Sequence, residues 1–428
     1  MKSFIIEMVV FLFLLLLLSA AFSQVLTLDE CIELAITQNP QVLGSRHDLN
    51  SAKAQRYQSL TALFPSASIT ATYTRLDEAP YTVMDPSSFP FPLPDMEPMR
   101  IEMGKAEMEK AEIGITQPLS LQLFTALSLA NLGVDQKYLS LRKSELQTVL
   151  NTEKAYFQFL QAKTFLKIAN ASKAQIDAHI KDLQNMYEQG MIHKKDLLSA
   201  QVKSSEVELL ILQAQNAVQL SRSALCLAIG YPQDKNIEVA ESLSFEDYVF
   251  PLDSAVAWAI RNAVDVRLLD VGLSASKKQV TLAWEGLLPS LAGMFYYDYE
   301  KPNRELKNDW YDHWTAVGAI KWDIFNWGGN IAAVSKAKEQ KKQMEFMRKS
   351  AMDGIALQAR AAYLSMDEKR RKLDVAKKEL EVAEENYRVT SDLFHAGAAT
   401  NSELLDAHTD LTRAKLNWLR RLRGTNRS

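Results

Sequence analysis

Two stretches of this chain run without a helix breaker for longer than almost any fold can accommodate. No Pro occurs from Leu119 to Tyr231, nor from Asn303 to Ser428. Gly133 is the only Gly between Leu119 and Gln189, and Gly354 the only one between Asn330 and Ala396. In the second stretch Ala359, Met366, Leu373, Leu380, Tyr387 and Phe394 fall on a seven-residue spacing, with Ala362, Ala376 and Ala383 filling a companion row. In the first, Phe159, Leu166, Ile180 and Tyr187 keep the same spacing beside Ala155, Ala162, Ala169, Ile176 and Leu183. An apolar heptad with small side chains predicts long helices packed as an antiparallel coiled coil. A helix of about 65–70 residues would reach about 100 Å at 1.5 Å per residue, which excludes a compact globular domain. Gly190 and Gly397 each follow the last heptad position, where a glycine's left-handed backbone ends a helix. They are the predicted turn points.

The chain reads as a duplication. Leu28-Asp29, Ala35-Ile36, Lys53 and Pro65-Ser66 recur as Leu252-Asp253, Ala259-Ile260, Lys277 and Pro289-Ser290. Further on, Ala155-Tyr156, Gly190 and Leu197-Leu198 recur as Ala362-Tyr363, Gly397 and Leu404-Leu405 at a shorter offset. The first unit therefore carries an insertion between Pro65 and Ala155, and the Pro-rich segment 79–100 is its expected place, as a loop. Each unit should run helix, strand, strand, long helix, helix. The first repeat is expected over 24–232, a linker over 233–251 and the second repeat over 252–428. Thr27-x-x-Glu30 marks a capping box, and Asn39-Pro40 should break the opening helix, because Pro disfavours helix at the residue before it.

Strands are expected near 66–75, 111–117, 290–299 and 314–324. Ala67, Ile69, Ala71 and Tyr73 alternate with Ser68, Thr70, Thr72 and Thr74, and Leu291, Gly293, Phe295, Tyr297 and Tyr299 keep the same parity. About ten residues is the length of a tilted membrane-crossing strand, so Ile69, Tyr73, Phe295, Tyr297 and Trp314 are the candidate membrane-facing side chains. An open sheet edge cannot persist in lipid, where its backbone groups have no water to bond. Four strands are too few for the smallest barrel, so a barrel must be shared between two, three or four copies. The competing reading is a soluble sheet on a coiled-coil rod, that is, a periplasmic scaffold or adaptor.

Composition removes other classes. The 49 basic and 52 acidic residues leave a net charge of -3, so no nucleic-acid partner is expected. Two Cys exclude a disulfide framework; Cys31 and Cys226 could pair if close, or stay as buried free thiols. No Gly-rich phosphate loop, nucleophile elbow or His-rich helix motif is present, so neither catalysis nor a cofactor is expected. Lys2, the uncharged run Met8 to Phe22 and Ala21-Phe22-Ser23 predict an export signal over 1–23. Met84, Met96, Met99, Met103 and Met108 gather in the first hairpin, where thioethers could serve Cu(I) but more simply make an adaptable apolar loop. His193 and His395 fall in the two turns, where pH-dependent gating is one reading and ordinary exposed turn histidines the simpler one.

The mature chain from about 25 to 420 resembles the TolC-like family of outer-membrane efflux proteins. The resemblance rests on Leu28-Asp29-Glu30, Asn39-Pro40, Leu63-Phe64-Pro65-Ser66 and its copy at 287–290. It rests also on Asp323-Ile324-Phe325-Asn326-Trp327-Gly328-Gly329, and on Gly397 followed by Glu403-Leu404-Leu405-Asp406-Ala407. It implies a homotrimer with a shared 12-stranded barrel in the outer membrane of a Gram-negative-type bacterium and a helical tunnel in the periplasm. It also implies a passive exit duct for efflux or type I secretion, docked to a periplasmic adaptor and an inner-membrane transporter. On motif position, Asp196, Glu403 and Asp406 would line the periplasmic aperture. The chain departs from the family at Ala399, where many members place an Arg or another bonding residue, and at Pro118-Leu119-Ser120-Leu121, which lacks the glycine pair of Gly328-Gly329.

Overall fold

A computed structural model describes residues 25–85, 91, 97–240, 250–303 and 307–425. The expected export signal, Pro86, Pro90, Pro92, Pro94, Met96 and residues 241–249 of the expected linker lie outside the described residues. The first half runs β1 (Val25–Leu26), α1 (Leu28–Gln38), α2 (Pro40–Thr61), β2 (Ser66–Arg75), β3 (Tyr81–Met84), β4 (Met99–Glu102), β5 (Glu107–Leu119), α3 (Leu121–Glu188), α4 (Lys194–Ala228) and β6 (Glu238–Val239). The second runs α5 (Leu252–Asn262), α6 (Val264–Glu285), β7 (Ser290–Lys301), β8 (Tyr311–Lys321), α7 (Gly329–His395) and α8 (Asn401–Thr425). The opening helices match in length, 11 with 11 and 22 with 22 residues, and the long helices hold 68 and 67.

Local chemistry explains most of these boundaries. At the start of α1, the Thr27 N–H donates to Glu30 Oε2 at 2.8 Å while the Glu30 N–H donates to Thr27 Oγ1 at 3.3 Å. Two otherwise orphaned donors are satisfied by one pair of side chains. Asn39 is extended (ψ 125°) before Pro40. Ala263 breaks the second copy at the same place (ψ 123°), although Val264 follows it rather than Pro. The break therefore does not need the ring. At the junction into α3, where no glycine pair exists, the Gln122 N–H donates to Ser120 Oγ at 3.2 Å. At the junction into α7, Trp327 (φ 55°) and Gly328 (φ 80°) both take left-handed backbone.

The chain divides into two units. One comprises residues 48–138 and 268–348 and holds an antiparallel four-stranded sheet in the order β2-β5-β7-β8. Its register aligns Ile69 with Ile113, Ile113 with Tyr297, and Tyr297 with Trp314. That cross-strand row, with Tyr73, Ile115, Phe295, Leu291 and Ile320, makes one apolar face, and it is exposed: Ile69 at 80% and Trp314 at 67%. The other parity carries Ser68, Thr70 and Thr72, then Lys110, which contacts Glu112 at 2.8 Å and Asp298 at 3.0 Å. Tyr296 lies over Gly114, where a Cβ would meet its ring at 3.3 Å. Strands β2 and β8 are the two edges.

Three sequence expectations need correction. Strand β5 extends over 107–119 rather than 111–117, because β2 and β7 both offer partners that far: Arg75 pairs with Glu107, and Lys301 with Glu109. Strand β8 covers 311–321 rather than 314–324, because β7 begins at Ser290, the partner of Lys321. Trp322, left without a strand partner, donates its Nε1–H to Leu287 O at 3.0 Å. Segment 79–100 is not loop throughout: β3 pairs with β4, Met84 opposite Met99, and Arg100 stacks on the Tyr81 ring at 3.6 Å.

The other unit comprises the residues up to 47, 139–267 and 349 onward. One core joins Leu26, Cys31, Ala35, Tyr156, Phe159, Leu225, Cys226 and Ile229. Strands β1 and β6 pair in parallel beside it, and Tyr156 donates its hydroxyl to Ala240 O at 3.0 Å. Cys31 and Cys226 are free thiols, and burial pushes Cys31 up to about 12. Of the first heptad stripe, Phe159, Ala162, Ala169, Ile176 and Leu183 are buried, while Tyr187 is exposed. A second apolar stripe, which the heptad reading did not include, stands in solvent: Leu357, Leu364, Val375, Val382 and Val389 on α7.

Gly230 (φ 79°) closes α4 against the α1–α2 break. A Cβ there would meet Gln38 O at 2.7 Å and Asn39 N at 3.2 Å, both backbone atoms that cannot swing away. Gly44, in α2, has open space instead, with nothing within 4 Å of the point a Cβ would take. Gly230→Ala is expected to destabilise by about 3 kcal/mol, from left-handed strain plus overpacking. Gly44→Ala should be neutral or stabilise by up to about 1 kcal/mol. Melting temperatures of the two variants measure the contrast; equal behaviour would refute it.

Candidate functional site at the helical turns

The α3–α4 and α7–α8 connections use one device. Gly190 (φ 73°) and Gly397 (φ 74°) take left-handed backbone. The Gly190 N–H then donates to Tyr187 O at 2.9 Å and the Met191 N–H to Met186 O at 2.9 Å. The Gly397 N–H donates to Phe394 O at 3.0 Å and the Ala398 N–H to Leu393 O at 2.8 Å. Both turns so satisfy carbonyls that a helix end leaves orphaned.

The returning helices begin differently. His193 precedes α4 with no side-chain cap bond, and Asp196 sits in the first turn, half-buried. Before α8, Thr400 and Glu403 repeat the box of Thr27 and Glu30. The Thr400 N–H donates to Glu403 Oε2 at 2.7 Å, its hydroxyl donates to the same oxygen at 2.9 Å, and the Glu403 N–H donates to Thr400 Oγ1 at 3.3 Å. The Thr400 N–H, then its hydroxyl, holds the Glu403 carboxyl below the usual carboxylate range. Glu403 and Asp406 are both exposed. Of the three expected aperture acids, Asp196 is tied to the α8 start, through its main-chain carbonyl, which accepts from Asn401 Nδ2 at 3.0 Å.

The same helix ends share an apolar knot of Leu183, Ala200, Phe394, Leu404 and Leu405, drawn from α3, α4, α7 and α8. Burying each of the larger side chains contributes about 1.5–3 kcal/mol. Ala399 packs against this knot.

Two polar relays, both invisible to motif reading, bind α8 to its neighbours. In the first, His179 Nε2 lies 2.8 Å from Asn401 Oδ1, and Asn401 Nδ2 donates on to the Asp196 carbonyl. An acceptor oxygen on Asn401 assigns the proton to His179 Nε2. In the second, the Thr412 hydroxyl donates to His408 O at 2.9 Å, so Thr412 Oγ1 accepts from Ser172 at 3.0 Å. Ser172 Oγ, its proton spent, accepts from His408 Nε2 at 3.4 Å. Burial lowers the proton affinity of both imidazoles, holding His408 down to about 4. His193 stays in its turn, ahead of α4, whereas His395 is the last residue of α7; it is exposed, and its Nδ1 sits 2.7 Å from Ser391 O. Ser172 and His408 carry no motif of their own, and only the packing shows that they meet.

Among the described residues, no group of His, Cys, Asp or Glu is arranged to hold a metal ion, and no helix is long and apolar enough to cross a membrane.

The family model for outer membrane efflux proteins matches residues 31–231 and 257–424. The chain is 23% identical over 291 residues to nodulation protein T of Rhizobium leguminosarum bv. trifolii, a match covering 66% of this chain and 61%, under two thirds, of that protein. It is 23% identical over 321 residues to the outer membrane protein TolC of Vibrio cholerae, covering 73% of this chain and 68% of that one. Its fold matches the Campylobacter jejuni CmeC outer membrane channel with a TM-score of 0.78 at 15% identity, over 94% of this chain and 83% of that chain.

Thr400→Ala removes the cap of α8 without touching the buried relays. A loss of about 1 kcal/mol, seen as faster amide exchange confined to the first turn of α8, is the expected result. Unchanged exchange there would show that the box is dispensable.

Proposed function

Because this chain belongs to the outer membrane efflux protein family, we propose that it is a passive exit duct, in which copies of the chain share one membrane barrel and line one water-filled path. One observation carries this reading: a four-stranded sheet with an exposed apolar face, a polar face of Ser, Thr and charged residues, and two open edges. In lipid the edges β2 and β8 must pair, and strands of matching length are those of further copies. Three copies would close twelve strands, with Ile69, Tyr73, Phe295, Tyr297 and Trp314 toward lipid and Lys110, Glu112 and Asp298 toward the lumen. The exposed stripe on α7, and a second on α4 (Leu198, Val202, Leu209, Leu220), are the helical surfaces such copies would bury.

In this reading the duct supplies no energy. A periplasmic adaptor and an inner-membrane transporter would load it and open the helical turns. Asp196, Glu403 and Asp406 would form carboxylate rings there, because three copies around a narrow pore focus a negative potential.

Native mass spectrometry on separated membrane fractions should find a detergent-dependent trimer in the outer membrane. Ile69→Arg should deplete it, at a cost of about 2–4 kcal/mol if the site lies near the midplane. A detergent-free monomer in the soluble fraction would end the duct reading. Separately, Glu403→Ala with Asp406→Ala should weaken block by trivalent cations in single-channel recordings; undiminished block removes both residues from the pore.

A further inference from the structure

Three of the chain's six histidines converge where α3, α7 and α8 meet. His179, His395 and His408 border one cavity of about 190 Å³, together with Asp182 and Tyr387. His408 is 4% exposed, His179 is half-buried and packed edge-on to Phe394 at 5.2 Å, and His395 forms the outer rim. Each imidazole already uses one nitrogen: His179 on Asn401, His408 on Ser172, His395 on the Ser391 carbonyl. The relay of His408, Ser172, Thr412 and the His408 carbonyl is closed, so every hydroxyl proton in it is committed. A second proton on His408, which is 4% exposed, would therefore place a charge inside a packed helix contact, which is costly.

The surroundings offer that charge little. From α3 it faces Asp182 and the imidazole of His179; from α7, Tyr387 and His395. From α4 it faces Lys203 and Glu206, which are paired to each other at 2.9 Å. From α8 itself come Arg413, which is paired with Asp410 at 3.1 Å, and Lys415 and Arg420. Outside those pairs two cations, Lys415 and Arg420, stand against one acid, Asp182, so the added proton is repelled more than it is held.

We propose that this contact is an acid-released latch: protonation of His408, assisted by its neighbour His179, separates α8 from α3 and α4 and loosens the glycine turns. The latch rests on reading those turns as the moving end of an exit duct. The sign follows from linkage. His408 binds its proton more weakly in the closed packing, so the contact is complete above the ordinary histidine value of 6.5 and weakens as the pH falls toward 4. With those two values, pH 5 favours the open arrangement about 30-fold over pH 7.5.

Hydrogen–deuterium exchange of the full chain in detergent, corrected for intrinsic rates, tests the latch at pH 7.5 and pH 5. The expected result is an acid-driven rise of about tenfold or more in segments 172–190 and 394–412, with little change around Tyr156. His408→Gln, which keeps an N–H for Ser172 but cannot take a second proton, should abolish that rise. Wild-type exchange that ignores pH overturns the proposal on its own, whether or not the variant folds; so does an undiminished rise in a folded His408→Gln. Planar-bilayer recordings separate the two readings. An acid rise in exchange without conductance at either pH sinks the duct and keeps the latch. Conductance with acid-insensitive exchange keeps the duct and sinks the latch.

Discussion

A sheet of four strands with a bare edge on each side cannot complete its own hydrogen bonding. Strands β2 and β8 leave outward N–H and C=O groups along ten and eleven residues, and the apolar face beside them stands open. Water can serve those groups; lipid cannot. In the proposed shared barrel, identical neighbours would meet that deficit. The helical unit shows the same incompleteness in another form, because α4 and α7 each keep an apolar stripe that their own unit does not cover. Hydrophobic area left exposed along one helix face is what a neighbouring helix would cover in the proposed assembly.

The glycine turns show how the same helices can be both long and divisible. The heptads alone would favour continuation, yet one left-handed residue lets two amides fold back and end each helix. What then keeps α8 against α3 is partly apolar, through Leu183, Phe394 and Leu404, and partly polar, through two histidine relays. An apolar contact is indifferent to pH, whereas a buried neutral imidazole is not. Mixing the two allows a contact that is firm under one condition and weak under another. Glu403 belongs to a different layer, exposed and held by Thr400, so its charge is available to solvent while its position is fixed.

Much of this architecture could be read from residues alone. The duplication surfaces in Pro65-Ser66 and Pro289-Ser290, and in helices of equal length. The long helices follow from the absence of Pro and the heptads, and Gly190 and Gly397 from their place after the last repeat. The alternation at Ala67 to Thr74 marks β2. What escaped reading has a physical pattern. Glu107-Met108-Glu109-Lys110 hides the start of β5, because charged residues blur the apolar alternation, and only two partner strands draw it into the sheet. The β3–β4 hairpin is obscured by the prolines around it. Ala263 breaks the second helix with no local signal for doing so.

The candidate site divides the same way. The turns were legible because backbone conformation is a local matter, decided within four or five residues. The relays were not, because Ser172 and His408 are 236 positions apart and share no motif. Sequence by itself determined period, parity and turn position, all consequences of short-range sterics. Tertiary structure alone decided which polar side chains are buried together, and so which groups feel a change of proton activity. That depends on long-range packing, and no local pattern encodes it.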